Sequence, residues 1–235
     1  MKSTEKQLES RGYFSSEIES KFVEKSFDEL IELLNSKSAA ERTVSARLIA
    51  KTKNPKSISF LCLALEKENI LYTKIEICNS LVSYGKLAIP ELVKLLGKIG
   101  NNQHKHIPKT EFKKNNYPLP RDIIARTIIR IGKVALPLLT ENLKSNDTQK
   151  ISETIDAIGY ICFYDKQEER MLSLINCYEH NSENELIKWK IIRAMSAFTE
   201  SEKFLKKEYG LIENDRLKQE IKRSEKLIKL RNASC

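Results

Sequence analysis

The chain is poor in the residues that interrupt helices and build turn-rich folds. Its 235 residues include only 7 glycines and 6 prolines, which argues against a sandwich or barrel of short strands joined by frequent turns. No apolar run approaches the roughly 18 residues that a transmembrane helix needs. The charged N-terminal stretch also lacks the apolar centre of a secretory signal. We therefore expect a helical protein with no membrane partner and a cytoplasmic location.

Cysteine and histidine are too sparse and scattered to indicate a metal site or a disulfide framework. None of the five cysteines forms a C-x-x-C pair. Four of them lie in apolar helical patterns and are expected to be small buried side chains, namely Cys62, Cys78, Cys162 and Cys177. The pair His104 and His106 has no cysteine or acidic cluster beside it. Phosphate loops, HExxH sequences and nucleophile–base motifs are also missing, so we expect no metal, no cofactor and no catalytic residue.

The net charge of +9 is unevenly distributed along the chain. Thirty of the 41 basic residues are lysines, whereas specific phosphate and base contacts favour arginine. Residues 101–121 contain five basic residues and one acidic residue, and residues 201–235 contain ten and six. Residues 122–200, in contrast, contain ten basic and twelve acidic residues. Because the basic excess lies in two separated segments, we expect any nucleic-acid binding to be weak.

A repeated segment is the strongest pattern in the chain. The sequence GKLAIPEL, which begins at Gly85, recurs as GKVALPLL from Gly132. A weaker copy spans residues 54–65, and a fourth unit surrounds residues 171–178. Spaced self-similarity of this kind is the signature of stacked helical repeats.

Apolar residues near these segments follow the helical spacing of i, i+3, i+4 and i+7. The stripes are Ile75, Cys78, Leu81 and Val82; Ile124, Ile128 and Ile131; Ile151, Ile155 and Ile158; and Ile187, Ile191 and Met195. Four S-x-x-E sequences fit the capping box that begins a helix, at Ser16, Ser26, Ser38 and Ser182. Gly85 and Gly132 stand where a helix ends in a left-handed cap. The pattern predicts an all-α protein without strands.

The segments resemble the HEAT-like repeats that are grouped with phycobilisome-lyase repeat proteins, over about residues 36–200. Pro90 and Pro137, each inside the first turn of a helix, are features of those repeats. The resemblance implies one α-solenoid domain over residues 1–235, a right-handed superhelix of about five helix pairs. Residues 1–36 are expected to form N-terminal capping helices, and residues 202–231 a C-terminal capping helix.

The spacing of the repeats indicates an insertion. Leu61 and Leu92 are 31 positions apart, and Leu92 and Leu139 are 47 apart, which places an extra loop at residues 101–120. We call residues 101–120 the insertion segment. Its three prolines forbid a regular helix, and basic residues alternate with aromatic ones at Lys105, Lys109, Phe112, Lys113, Lys114 and Tyr117. It is either a loop that binds a phosphate backbone or an acidic partner, or a solvated excursion that Tyr117 and Leu119 attach to the core.

In a solenoid, the second helices of successive units line a concave face. Candidate residues for that groove are Asn79, Asp122, Arg126, Glu153, Asp156, Trp189 and Arg193. This mixture of charges suits a protein or peptide partner better than a polyanion. The alternative is that these residues form salt bridges between neighbouring repeats, whose axes are about 10 Å apart.

The leading functional hypothesis is a non-enzymatic scaffold that binds a protein or peptide in its concave groove. The alternative is a nucleic-acid-binding protein that uses the insertion segment and the basic face of the C-terminal helix. An enzymatic form of the alternative is suggested by the alkyl-purine DNA glycosylases, which are HEAT-like solenoids that hold a damaged nucleotide with aromatic, acidic and Arg residues. Trp189, Asp156, Tyr160 and Arg193 could cluster in that way. The repeat resemblance alone also implies a phycobilin-lyase activity.

Overall fold

The computed structural model describes residues 4–110 and 112–233, and all regular structure in these ranges is helical. The α-helices are α1 (Glu5–Glu9), α2 (Ser16–Ser20), α3 (Phe27–Leu33), α4 (Ala39–Lys51), α5 (Ser57–Lys67), α6 (Leu71–Val82), α7 (Ile89–Leu95), α8 (Ile123–Ile131), α9 (Leu136–Asn142), α10 (Thr148–Tyr164), α11 (Met171–His180), α12 (Glu185–Met195), α13 (Glu202–Leu211) and α14 (Asp215–Ala233). The all-α prediction is therefore confirmed. None of these helices combines the length and apolar content that a membrane span requires.

The chain is divided into two compact units, Met1–Lys94 and Leu95–Cys235. In the first unit, α4 and α6 pack against each other through apolar side chains and small hydroxyl residues. Thr43 and Thr73 share a hydrogen bond of 2.9 Å between their hydroxyls, and Ser80 donates to the Ala46 carbonyl at 2.9 Å. These bonds satisfy polar groups that the helix contact removes from water.

In the second unit, α10 is in contact with α8, α9 and α12, and α12 packs in turn against α14. Ile155 and Ala157 of α10 and Ile191 of α12 are fully buried. Ser224 of α14 donates to the Ile192 carbonyl at 2.9 Å. Because α10 has neighbours on several sides, it is buried around most of its circumference, as expected for a helix at the core of a unit.

The two copies of the repeated segment adopt the same local structure. Gly85 and Gly132 have φ values of +56° and +89°, a region in which glycine lacks the steric penalty of other residues. A short 3-10 turn begins at Gly85 in one copy and directly after Gly132 in the other, and it leads into α7 or α9 with proline in its first turn. The prediction of left-handed glycine caps is confirmed only in part: Gly132 is the C-cap of α8 with positive φ, but its ψ of −157° lies outside the left-handed helical region, and the C-cap of α6 is Ser83, two residues before Gly85.

Two of the four predicted capping residues begin a helix. Ser26 accepts from the backbone N–H of Glu29, whose carboxylate accepts from the Ser26 N–H in return, and Ser38 caps α4. The other two predictions are wrong, since Ser15 caps α2 and Asn184 caps α12. Serine and asparagine oxygens cap equally well, so the nearest S-x-x-E match does not fix the first residue of a helix.

Most predicted core positions are buried, with one clear exception. Ile75 is 42% exposed, because α6 turns Thr73 and Ile77 towards the core instead. Cys62, Cys78, Cys162 and Cys177 are buried, as expected, whereas Cys235 lies outside the described residues. The stretch expected to be one C-terminal capping helix contains two helices, α13 and α14, separated at residues 212–214.

Candidate functional site

The insertion segment lies over α10 and α12 and encloses an open cavity of about 500 Å³, a size within the range of about 300–1,000 Å³ found for ligand pockets. We call it the Trp189 cavity. The residues that line it and matter below are His104, Phe112, Lys114, Leu119, Arg121, Asp156, Trp189 and Arg193. The segment predicted as a loop and part of the predicted groove thus meet in one place.

Arginines of α14 hold the insertion segment from outside. Arg223 donates to the carbonyl of Asn116 at 2.6 Å and to that of Lys114 at 3.4 Å, and its guanidinium lies 4.8 Å from the centre of the Phe112 ring. Arg216 donates to the Ile107 carbonyl at 3.5 Å. The described part of the segment is therefore attached to the second unit, although it contains no helix.

Tyr117 attaches the segment from inside. Its side chain is 2% exposed, and its ring meets Tyr160 edge to face at 6.3 Å and Phe163 at 5.7 Å. Burial raises the pKa of the Tyr117 hydroxyl, which has no hydrogen-bond partner among the described residues. The ring therefore serves as an apolar anchor, in agreement with the solvated-excursion hypothesis for Tyr117. Leu119, in contrast, is 50% exposed and does not anchor the segment.

A network of buried charges forms the floor of the cavity. Lys190 is completely buried, and its Nζ lies 2.8 Å from Glu153 Oε1 and 2.9 Å from Asp156 Oδ2. Arg193 donates from Nη2 to Asp156 Oδ1 at 2.5 Å. Two carboxylates and two cations thus neutralise each other, which is the condition for keeping charges away from water.

The pKa values of the two carboxylates in this network are shifted in opposite directions. Burial alone would raise the pKa of Asp156, but Arg193 and Lys190 outweigh it and lower the value. For Glu153, burial prevails over the attraction of Lys190 and raises the pKa to about 7. Glu153 Oε2 has no partner among the described residues, whereas both oxygens of Asp156 are engaged. Asp156 is therefore a bound counter-ion that cannot readily accept a proton from a substrate.

Trp189 lies between a cation and a neutral histidine. The Arg193 guanidinium is 4.2 Å from the centre of the Trp189 ring, and the His104 ring meets it edge-on at 5.4 Å. Burial and the nearby cations Arg193 and Lys190 lower the pKa of His104 to about 4. His104 is consequently uncharged near pH 7, and Trp189, 5% exposed, is held rigidly.

The rim of the cavity is basic. Arg121 donates to Asn102 Oδ1 at 2.9 Å, and its second terminal nitrogen is 3.5 Å from His104 Nδ1. Lys114 is exposed beside the same opening. Lys105, Lys109 and Lys113 of the insertion segment are exposed as well.

The other predicted groove residues have structural partners. Asp122 is buried and caps α8, accepting from the Ala125 N–H at 2.7 Å and from Gln103 at 2.8 Å, and burial raises its pKa. Arg126 donates to the Pro120 carbonyl at 2.5 Å. Asn79, in the first unit, donates to Glu76 at 3.3 Å. The structure therefore brings Glu153, Asp156, Trp189 and Arg193 together and leaves these three outside the cavity.

Two residues that shape the cavity were missed in the sequence. Lys190 stands between Trp189 and Ile191 and three residues after Ile187, which places it on the apolar side of the helix. A lysine in that position indicates a buried ion pair. Its distance in sequence from Glu153 is the same as that of Arg193 from Asp156, which could have suggested the pairing. Arg223 carries no such signal, because its contacts with the insertion segment span more than a hundred residues.

Glu153→Gln is expected to change how the stability of the protein depends on pH. Because the pKa of Glu153 is raised from 4.5 to about 7, the folded protein retains a proton that the unfolded chain has released. The contribution of Glu153 to the free energy of unfolding therefore falls as the pH rises from about 4.5 to about 7. Glutamine does not titrate and abolishes this contribution, which urea denaturation across that pH range would measure.

The quantity to compare is the difference between the wild type and the variant. His104 has a lowered pKa, so its own contribution rises with pH between about 4 and 6.5 in both proteins and cancels in that difference. We expect the stability of the wild type relative to Glu153→Gln to decrease steadily over the window. A difference that stays constant from pH 4.5 to 7 would contradict the raised pKa.

Comparisons with known proteins give no family. No protein-family model matches the chain, and no curated protein matches it. Among solved structures, the chain is similar to an engineered protein whose crystal structure was determined by a structural genomics consortium, with 16% identity and a TM-score of 0.37 over 87% of this chain and 99% of the other. A likeness of this degree carries no argument about fold or function.

Proposed function

We propose that this protein is a non-enzymatic binding scaffold of the HEAT-like, solenoid type, and that the Trp189 cavity receives an apolar side chain from a segment of a partner protein. The observation that carries the proposal is the cavity itself, which is open and is walled by Phe112, Leu119 and three prolines of the insertion segment. Ligand pockets of proteins are usually concave, mostly apolar and already formed before binding.

The apolar wall remains available to a ligand. Leu119 is 50% exposed, and Phe112 is half-buried at the same opening. Exposed leucines are common on protein surfaces, but a leucine and a phenylalanine at the mouth of one cavity offer a partner a continuous apolar contact. Such a contact supports a peptide-binding role for the insertion segment.

The floor of the cavity argues against catalysis. A glycosylase-like reaction needs an acidic group that can act on the substrate or on water, but Asp156 is 2% exposed and bonded through both oxygens. Glu153 is fully buried beneath it. Tyr160, the fourth residue of the glycosylase hypothesis, packs against Tyr117 and Tyr164 instead. The buried network therefore favours a structural role, which is to fix Trp189 and Arg193.

The repeat pattern supports the HEAT-like part of the proposal. Both GKxA[IL]P segments have a glycine with positive φ, a 3-10 turn and then a short helix whose leucine, Leu92 or Leu139, is completely buried. A segment that recurs in sequence and in local structure is what stacked repeats are built from.

Nucleic-acid binding is the second candidate, and the exposed lysines of the insertion segment are the observation that favours it. Lys105, Lys109, Lys113 and Lys114 are exposed, and each contact with a phosphate makes the affinity depend more steeply on salt. We expect such binding to be unspecific, because residues 122–200 contain more acidic than basic residues and therefore do not extend the basic surface.

The proposal can be tested with peptides and with the only tryptophan of the chain, Trp189. Peptides selected from a random displayed library are expected to shift the Trp189 fluorescence and to bind Leu119→Ser about tenfold more weakly, because burial of a leucine contributes about 1.5–3 kcal/mol. Leu172→Ser is the matched control, since Leu172 is 64% exposed on α11 and does not line the cavity. Failure to select any peptide, or equal binding by both variants, would overturn the proposal.

A further inference from the structure

We propose that the segment bound in the Trp189 cavity carries an acidic residue next to its apolar anchor, and that Arg121 and Lys114 receive the carboxylate. The inference rests on the proposed function and specifies the chemistry of the partner. Three features of the Trp189 cavity support it: the positive charges at its rim, the paired charges of its floor, and aromatic rings whose faces are covered.

Arg121 is a cation held in place by neutral groups. Its partners are the Asn102 amide oxygen at 2.9 Å and the ring nitrogen of His104 at 3.5 Å, and His104 is uncharged near pH 7. Two buried arginines near the cavity are, in contrast, bonded to carboxylates, Arg193 to Asp156 and Arg223 to Glu220. Among the described residues Arg121 has no carboxylate partner, so within this part of the chain its charge lies at the cavity mouth without a counter-ion.

Lys114 adds a second positive charge to the rim. It is exposed, it lines the cavity, and its carbonyl is one of the groups that Arg223 holds. The backbone from which Lys114 projects is therefore fixed, and its side chain can reach a ligand at the opening. Two cations on one rim favour an anion.

The floor does not oppose an anion. Glu153 and Asp156 are matched by Lys190 and Arg193, so the buried network is neutral when both carboxylates are ionised and positive when Glu153 is protonated. Counted over the described residues that line the cavity, Lys114, Arg121 and Arg193 against Asp156, the charge balance is positive.

The aromatic residues favour a carboxylate on a peptide over the phosphate of a nucleotide. Bases bound by single-strand-binding proteins stack on open aromatic faces. Here the face of Trp189 is covered by Arg193 at 4.2 Å, Phe112 is met by Arg223 at 4.8 Å, and Tyr117 is 2% exposed. The accessible walls are instead proline, Leu119 and the part of Phe112 that Arg223 leaves uncovered, which fit an aliphatic or aromatic side chain of a peptide.

The inference is tested with matched peptides in which a central leucine or phenylalanine is flanked by aspartate, by asparagine or by lysine. Binding is followed by Trp189 fluorescence and calorimetry at low and at physiological salt. We expect the aspartate peptides to bind about tenfold more tightly than the asparagine peptides, a difference of about 1.4 kcal/mol. Arg121→Gln is expected to remove most of this preference, and Arg121→Glu to transfer it to the lysine peptides.

Lys144→Gln is the control, because Lys144 is exposed on the second unit and does not line the cavity; it should leave the preference unchanged. Equal binding of aspartate and asparagine peptides, with sensitivity to Leu119→Ser retained, would overturn the charge inference and leave the proposed function standing. Binding of a nucleoside monophosphate or a single-stranded oligonucleotide in place of every peptide would overturn both.

Discussion

Asp156→Ala is expected to lower the free energy of unfolding by about 3–5 kcal/mol, because it leaves buried cations without their shared counter-charge. In the folded protein the Asp156 carboxylate bonds to Lys190 at 2.9 Å and to Arg193 at 2.5 Å, and neither cation is more than 4% exposed. Glu153 still pairs with Lys190 in the variant. Arg193, however, has no other ion pair among the described residues. Urea denaturation followed by circular dichroism measures the loss.

The matched control is an exposed ion pair of the same chain. Glu91 bonds to Lys94 at 2.6 Å, with side chains 38% and 64% exposed, and its replacement by alanine is expected to cost less than about 1 kcal/mol. Trp189 fluorescence should shift to the red in Asp156→Ala and remain unchanged in Glu91→Ala, since Arg193 holds the indole ring. Similar small losses in the two variants would show that the buried network does not stabilise the cavity floor.

The helices could be predicted because their signals are local. The apolar stripe of α10, at Ile151, Ile155 and Ile158, is buried as its spacing indicates, and the glycines at residues 85 and 132, which the sequence places near helix ends, take positive φ values. Ile75 was misassigned because spacing alone does not say which side of a helix has a neighbour. In α6, threonine and cysteine share the buried side with isoleucine and leucine.

The candidate site could be predicted only in part. The salt bridge between Arg193 and Asp156 is of the kind that the sequence raised as an alternative, an ion pair between neighbouring repeats, but the sequence did not indicate which residues pair. Both residues were predicted to line an open groove, but they are buried, because the insertion segment covers them. Its position depends on Tyr117 packing against α10 and on Arg223 of α14, and no periodicity links residues so far apart in the chain.

Gly159→Ala is the second change with a large expected effect, and it tests how the insertion segment is attached. Alanine in the interior of a helix normally stabilises it by about 1 kcal/mol relative to glycine. At residue 159, however, an added Cβ would lie 2.6 Å from Cζ of Tyr117 and 3.0 Å from Cβ of Ala194. Neither Tyr117, which is 2% exposed, nor the packed helix can move freely. We therefore expect a net loss of about 1–3 kcal/mol, as for other overpacked cores.

Gly210→Ala is the matched control, because Gly210 also lies in a helix, α13, and an added Cβ there meets nothing within 4 Å. It should stabilise the protein by about 0.4–1 kcal/mol. Tyr117→Phe removes a buried hydroxyl that has no partner among the described residues, so alone it should be neutral or stabilising. The hydroxyl oxygen of Tyr117 is the atom closest to a Cβ added at residue 159. Tyr117→Phe combined with Gly159→Ala should therefore recover part of the lost stability. If Gly159→Ala stabilises the protein as Gly210→Ala does, the Tyr117 ring does not pack on α10, and the contacts that hold the insertion segment are those of Arg216 and Arg223.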